Sequence, residues 1–134
     1  MVGKYTLRVV TDFSAAHILH GYNGPCSRLH GHNWTIEVEV EAWKLDNIGM
    51  GIDFREIKQH TKALVETVDH QFLNELPAFT GINPTAEHIA AWFYHELAKD
   101  LNQHHTRLTS VTIWENDRCS VKYTNSEFAA GSLQ

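Results

Sequence analysis

The chain has 134 residues, of which 43% are apolar and 20% charged, which is the size and balance of one globular domain over residues 1–134. A net charge of -5 without a basic cluster excludes an electrostatic surface for nucleic acid or an anionic membrane, so we expect a small-molecule partner. No apolar run opens the chain, and the two cysteines, Cys26 and Cys119, lie far apart. These features predict a cytoplasmic protein without a signal peptide, a membrane helix or a disulfide framework.

Two strands are predicted in the first third of the chain. From Tyr5 to His17 the odd positions are mostly apolar, which is the two-residue period of a strand with one buried face. Glycine, asparagine and proline in the segment 20–29 predict a loop, with Cys26 in it or at its end. From His30 onward the even positions are histidine or apolar and the odd positions are polar, which predicts a second long strand.

Two helices follow these strands. After a glycine-containing turn, apolar residues recur every three or four positions and predict an amphipathic helix that ends near Asp69. Pro84, with Asn83 or Thr85 as the capping residue, marks the start of a second helix that ends within residues 102–106.

The last two predicted strands, residues 108–115 and 120–124, are separated by a turn at Asn116 and Asp117. Elements in the order ββααββ predict an α+β fold in which two helices cover one face of a four-stranded antiparallel sheet.

Three histidines of the predicted first hairpin form a candidate metal site. His30 and His32 are two positions apart on one strand and therefore point the same way, and His17 shares the buried face of the neighbouring strand. Three neutral imidazoles around an open fourth position are typical of catalytic zinc. Alternatively, His30 and His32 are ordinary residues at the start of a strand. His20 has the opposite parity and is predicted to be a surface residue.

Six segments, in order along nearly the whole chain, resemble motifs of the 6-pyruvoyl-tetrahydropterin synthase family. They are Phe13-Ser-Ala-Ala-His17, Cys26-Ser-Arg-Leu-His30-Gly-His32, Gly49-Met-Gly-Ile-Asp53-Phe54, Asp69-His70, Asn83-Pro-Thr-Ala-Glu87 and Trp114-Glu115. The later segments are short and occur by chance in many proteins. The likeness is specific because they follow the histidine signature in the same order and spacing as in the family.

The resemblance implies a tunnelling fold, in which sheets of several subunits join into a barrel and active sites form between subunits. A homohexamer of two trimeric rings would also cover the edges and the open face of the predicted sheet. The family further implies a Zn²⁺ ion held by His17, His30 and His32, and 7,8-dihydroneopterin triphosphate as the substrate of a lyase. The glutamates of the second strand would face away from the helices.

By resemblance, Cys26 is the catalytic base, and His70 carries protons while Asp69 fixes its tautomer. An inert buried thiol and a fourth zinc ligand are alternatives for Cys26. Glu115 is the implied pterin anchor, and the alternative is a strand-end carboxylate in water. Thr85 and Glu87 are further pterin-binding candidates.

Local helix chemistry offers an alternative for this last pair, because Thr85 could cap the second helix and Glu87 could interact with its dipole.

The implied product is 6-carboxy-5,6,7,8-tetrahydropterin, released with acetaldehyde and triphosphate, as in the bacterial branch of the family that serves queuosine biosynthesis. Cys26 lies four positions before His30, as in that branch, whereas animal pyruvoyl synthases have a longer spacing. The alternatives are a pyruvoyl-forming synthase, a folate-branch lyase, which typically has a glutamate in place of this cysteine, and a non-catalytic structural zinc module.

Overall fold

The chain forms a five-stranded sheet with two helices packed on one face. The computed structural model describes residues 3–24 and 27–126. The strands are β1 (Tyr5–His17), β2 (His30–Ala42), β3 (Gln71–Phe72), β4 (Thr106–Asn116) and β5 (Cys119–Tyr123), in the spatial order β3-β1-β2-β4-β5. The helices are α1 (Phe54–Val68) and α2 (Ala86–Leu101), and two short 3-10 turns, Leu73–Glu75 and Pro77–Phe79, precede α2.

The predicted α+β class, the four long strands and both helices are confirmed, but the prediction of four strands, all antiparallel, is wrong. The additional strand β3 pairs in parallel with β1, with Ala15 opposite Gln71 and Ala16 opposite Phe72. A strand of two residues is too short to show a period in the sequence. Strand β3 forms because α1 returns the chain to the free edge of β1, so a tertiary contact defines this strand. With β3 included, the element order is ββαβαββ.

The β1–β2 hairpin places the histidines at the end of the buried face. Its register pairs Phe13 with Trp34, Ala15 with His32 and His17 with His30. Trp34 is fully buried, and its indole N–H donates to the Ala15 carbonyl at 3.2 Å. The apolar core therefore ends in a tryptophan whose neighbours along both strands are imidazoles.

The opposite face of the sheet is polar. Glu37, Glu39 and Glu41 lie on it, because the even positions of β2 point into the core, and this agrees with the orientation expected from the sequence. Each glutamate has a basic partner at 3.5–3.8 Å: Arg8 for Glu37, Lys122 for Glu39, and both Lys4 and Arg107 for Glu41. Such partly exposed ion pairs add little stability, and their main consequence is a charged, hydrated surface away from the helices.

Both helix starts are capped by side chains. Asp53 accepts a hydrogen bond from the Arg55 N–H at 2.8 Å at the start of α1, and Thr85 accepts from the His88 N–H at 3.1 Å at the start of α2. Thr85, and not Asn83, is therefore the cap of α2. In the described ranges no helix combines the length and apolar character needed to cross a membrane.

Candidate active site

Three imidazoles converge at the end of the β1–β2 hairpin that lies next to its connecting loop. His17 Nε2 lies 2.9 Å from His30 Nε2, and the ring centroids of His17, His30 and His32 are 4.5–5.4 Å apart. One ligand atom from each of these histidines and one from Glu115 lie within 4.8 Å of one another. The strand parity predicted this convergence, and the observed register brings His17 directly opposite His30.

The hydrogen bonds of the outer ring nitrogens determine the tautomers. His17 Nδ1 contacts the Pro84 carbonyl at 2.8 Å, and His30 Nδ1 contacts the Arg28 carbonyl at 2.6 Å. A carbonyl oxygen only accepts, so each Nδ1 carries the proton and each neutral Nε2 presents a lone pair. Two lone pairs that face each other at 2.9 Å repel, and a cation between them would remove the repulsion.

His32 also presents an unsatisfied nitrogen. Its Nε2 lies 2.9 Å from Glu115 Oε1, a separation that would suit a hydrogen bond. The relative orientation of the two groups does not suit one, and the buried Nε2 has no hydrogen-bond partner. An orphaned nitrogen beside a carboxylate fits a metal ligand, so the donor set of the described residues is suited to a divalent cation.

Burial keeps two of the imidazoles neutral. The pKa of His17 is lowered chiefly by burial and further by His30 and His32, against the opposing effects of the Pro84 carbonyl and Glu115. Burial is also the largest cause of the lowered pKa of His32, which Glu115 opposes. Because only neutral imidazole binds a metal, both rings are ready ligands near neutral pH.

Glu115 approaches the histidines from β4. It follows Val111 and Ile113 on the core-facing side of the strand, as its parity in the sequence predicted, and its side chain is partly exposed. Its carboxylate could contact a metal or accept hydrogen bonds from a ligand. The proximity to His32 was missed from the sequence, because it depends on how β4 pairs with β2, and that ladder contains an irregularity at Glu39.

Asp69 and His70 form a second candidate pair, beside β1. Asp69 Oδ1 accepts the Ser14 N–H at 2.9 Å and lies 3.0 Å from His70 Nδ1. The Ser14 N–H is the main cause of the lowered pKa of Asp69, with His70 contributing. His70 is exposed and has a φ of 59°, the one positive φ among the described residues other than glycine. Backbone conformations of this kind cost energy outside glycine, and they cluster at functional sites.

A cleft of about 490 Å³ lies between His70 of this pair and His32 of the metal-binding group. Both His32 and His70 line it, together with Ser14 of β1, Asn33 of β2 and Gln71 of β3. A ligand in the cleft could therefore contact His32 and His70 at once.

The remaining candidates have different positions. The side chain of Thr85 caps the start of α2, and Glu87 is exposed in the first turn of this helix. The sequence marked Pro84 only as the start of α2, and its contact with His17 was missed because it is made by a main-chain carbonyl, which any residue carries. Cys26 lies outside the described residues.

Comparison with known proteins settles the family. The sequence profile described as 6-pyruvoyl tetrahydropterin synthase matches residues 6–126. The chain belongs to this family. It is 31% identical to the 6-carboxy-5,6,7,8-tetrahydropterin synthase of Rickettsia typhi, over 89% of this chain and 98% of the relative. It is 39% identical to the enzyme of the same name from Synechocystis sp., over 64% of this chain and 69% of the relative.

Solved structures support the same assignment. The 6-pyruvoyl tetrahydropterin synthase of Caenorhabditis elegans has a TM-score of 0.82 and 27% identity, covering 93% of this chain and 98% of that one. The family membership predicted from the six motifs is therefore confirmed, and the fold extends over nearly the full length of both proteins.

Proposed function

We propose that this protein is a zinc-dependent lyase that converts 7,8-dihydroneopterin triphosphate to 6-carboxy-5,6,7,8-tetrahydropterin, with release of acetaldehyde and triphosphate, in queuosine biosynthesis. The observation that carries the proposal is the pair of facing imidazole nitrogens of His17 and His30, 2.9 Å apart beside the orphaned nitrogen of His32. Names of relatives such as the Rickettsia typhi enzyme indicate the substrate class.

In this proposal the three histidines hold one Zn²⁺ and leave a further position for the substrate. Bound zinc would act as a Lewis acid on the side-chain oxygens of the pterin and favour loss of the neighbouring protons. The carbonyls of Pro84 and Arg28 hold two of the rings with Nε2 inward, so the ligand set is oriented before the metal arrives.

The proton transfers are assigned to Asp69, His70 and Cys26. Asp69 holds the proton on His70 Nδ1, which leaves Nε2 free to accept a proton from a ligand in the cleft or return one. The Ser14 N–H keeps Asp69 ionised and in place while this occurs. Cys26 is proposed as the base on the basis of its motif, because a nearby cation and histidine favour the thiolate.

Glu115 is proposed as the anchor of the pterin ring, with Thr85 and Glu87 as secondary candidates. A partly buried carboxylate needs donors to offset its desolvation, and the amino and ring N–H groups of a pterin supply them. Glu115 lies within reach of the metal-binding group, so a pterin held by it would carry its side chain toward the histidines.

The proposed reaction needs no redox cofactor. Reduction of the dihydropterin ring is balanced by oxidation of the side chain, and formation of the carboxyl group consumes one water as the carbon–carbon bond breaks. The pyruvoyl product would require neither water nor this bond cleavage. Identifying the small products therefore separates the two members of the family that the comparisons bring forward.

Assembly into a hexamer of two trimeric rings also belongs to the proposal. The edge of β1 before Ala15 and the outer edge of β5 face no other strand of the described chain, and the face carrying the glutamates is polar. Edge pairing between subunits would join the sheets into a barrel and remove these edges. Light scattering at working concentration is expected to give a hexamer, and a monomer would contradict this part of the proposal.

The decisive experiment combines metal analysis with product analysis. Purified, metal-replete protein should contain one zinc per chain and should form a carboxypterin and trapped acetaldehyde from 7,8-dihydroneopterin triphosphate. His17→Ala should lose both zinc and activity, whereas the matched variant His20→Ala, at an exposed site, should keep both. Protein without zinc would refute the metal centre, and a pyruvoylpterin without acetaldehyde would refute the carboxy product.

A structural zinc module is the alternative from another functional class, and Cys26 discriminates it. If Cys26 is a base, Cys26→Ala should retain zinc and lose turnover. If it closes the metal shell, the same substitution should release zinc. Asp69 and His70 favour the catalytic alternative, because a structural module has no use for a strained histidine oriented by a carboxylate.

A further inference from the structure

Beyond the end of β1, side-chain amides continue the sheet. The Ile18 N–H donates to Asn74 Oδ1 and the Ile18 carbonyl accepts from Asn74 Nδ2, both at 2.9 Å. Asn83 binds His20 in the same way, with the N–H donating at 2.9 Å and the carbonyl accepting at 2.8 Å. Each asparagine therefore occupies both backbone groups of one residue, as a residue of a neighbouring strand would.

These amides complete one edge of β1. Every second residue from Ser14 to His20 faces this edge. The main chain of Ser14 is bound by Asp69 and His70, and Ala16 lies opposite β3. The two asparagines bind Ile18 and His20. Asp69, His70 and the chain on both sides of His17 are thus held along the same edge of β1.

Asn83 differs from Asn74 in what lies next to it. Pro84 is buried, and its carbonyl accepts from His17 Nδ1 at 2.8 Å. The Asn83 carbonyl in turn accepts from His88 Nδ1 at 2.6 Å and from the Thr85 N–H at 2.9 Å. The side chain of Asn83 is bound to the chain that follows His17, and its main chain is bound to the start of α2.

We propose that Asn83 is a positioning residue for the metal centre. It links the backbone after His17 to the carbonyl that sets the tautomer and direction of the His17 ring. This inference rests on the proposed function, since it takes the histidines as metal ligands. Loss of groups that orient a ligand typically weakens metal binding by roughly 10–100-fold, and this is the effect expected for Asn83→Ala.

Asn74→Ala is the matched control. It removes the same pair of backbone hydrogen bonds one step earlier along the edge, but Asn74 lies in the turn Leu73–Glu75 and is not next to Pro84 in the chain. If the link to Pro84 is what matters, Asn74→Ala should leave the metal affinity within about threefold of the original, although both variants lose the same number of hydrogen bonds.

The test measures Zn²⁺ affinity of the full chain by competition with a chelator, and the visible absorption of the Co²⁺-loaded protein, which reports ligand geometry independently of activity. Asn83→Ala should weaken Zn²⁺ binding and alter the Co²⁺ spectrum. Asn83→Asp keeps the acceptor for the His20 N–H and loses the donor, so it should give a smaller loss and serves if the alanine variant fails to fold.

Two results would overturn the inference. One is an unchanged affinity and spectrum in both Asn83 variants. The other is an equal loss in Asn74→Ala and Asn83→Ala, which would indicate a general loss of stability. Failure of the unsubstituted protein to bind either metal would instead refute the proposed metal centre itself, and the role of Asn83 with it.

Discussion

Acidification should destabilise the metal-free protein, and His17 should account for much of the effect. The pKa values of His17 and His32 are lowered in the folded chain, mainly by burial, from an ordinary value of 6.5. Between that value and the lowered ones, the unfolded chain binds more protons than the folded chain. The free energy of unfolding therefore falls as the pH drops below 6.5 and levels off below the folded-state pKa values.

The size of the effect follows from the number of protons. A difference of one proton changes the free energy of unfolding by about 1.36 kcal/mol per pH unit. His17 is 1% exposed and counts nearly in full, whereas the His32 side chain is 24% exposed and Glu115 favours its charged form, so we count it at about half. At pH 6.5 the unfolded histidines are only half protonated, so the full one-proton difference is not reached at once, and we expect a loss of at most about 1.5 kcal/mol in the first pH unit below 6.5.

Urea denaturation in the presence of a chelator, at constant ionic strength and at about pH 7.5, 6.5 and 5.5, measures this dependence. The carboxylates of Asp53 and Asp69 do not interfere, because their pKa values are lowered from 3.8. His17→Gln should reduce the slope of the free energy of unfolding against pH by up to the equivalent of about one proton, whereas His20→Gln, at an exposed site, should not change it. The reasoning fails if His17→Gln keeps the full pH dependence of the original protein.

Three further substitutions test the site and its support. Asp69→Asn should retain zinc but lower kcat by roughly 10²–10⁴-fold in a steady-state assay, and a loss below about tenfold would contradict its role in proton transfer. Trp34→Phe should lower the free energy of unfolding by about 2 kcal/mol, because a buried hydrogen bond of 3.2 Å is lost and a cavity is left. A change below about 0.5 kcal/mol in urea denaturation would contradict this. Gly51→Ala should lower the free energy of unfolding by about 1–3 kcal/mol, since the added methyl group would lie 2.5 Å from Ala42 Cβ. In the control variant Gly3→Ala the methyl group meets nothing within 4 Å, so equal melting temperatures for the two variants would refute this prediction.

The main elements of the fold could be predicted because their signals are local. Alternation over β1 and β2 placed His17, His30 and His32 on one face, and helical spacing predicted α1 and α2. Pro84 at the start of α2 limited the cap to Asn83 or Thr85, of which the structure selects Thr85. In each case the physical cause acts within a few residues of sequence.

The motifs extended this prediction to the family. Their order along the chain indicated 6-pyruvoyl-tetrahydropterin synthases, and the match over residues 6–126 confirms it. The hexamer, the zinc ion and the choice of product stay predictions, because each depends on a partner chain, an ion or a bond-breaking step that the sequence only suggests.

By itself the sequence determined which side chains could meet, and the tertiary structure decided which of them do. Strand β3, the approach of Glu115 to His32 and the contact of Pro84 with His17 join residues far apart in the chain, and no local period encodes such distances. The asparagine clamps at Ile18 and His20 are of the same kind. Strand parity is a property of one segment, whereas register, helix return and main-chain hydrogen bonds are settled only when separate segments pack together.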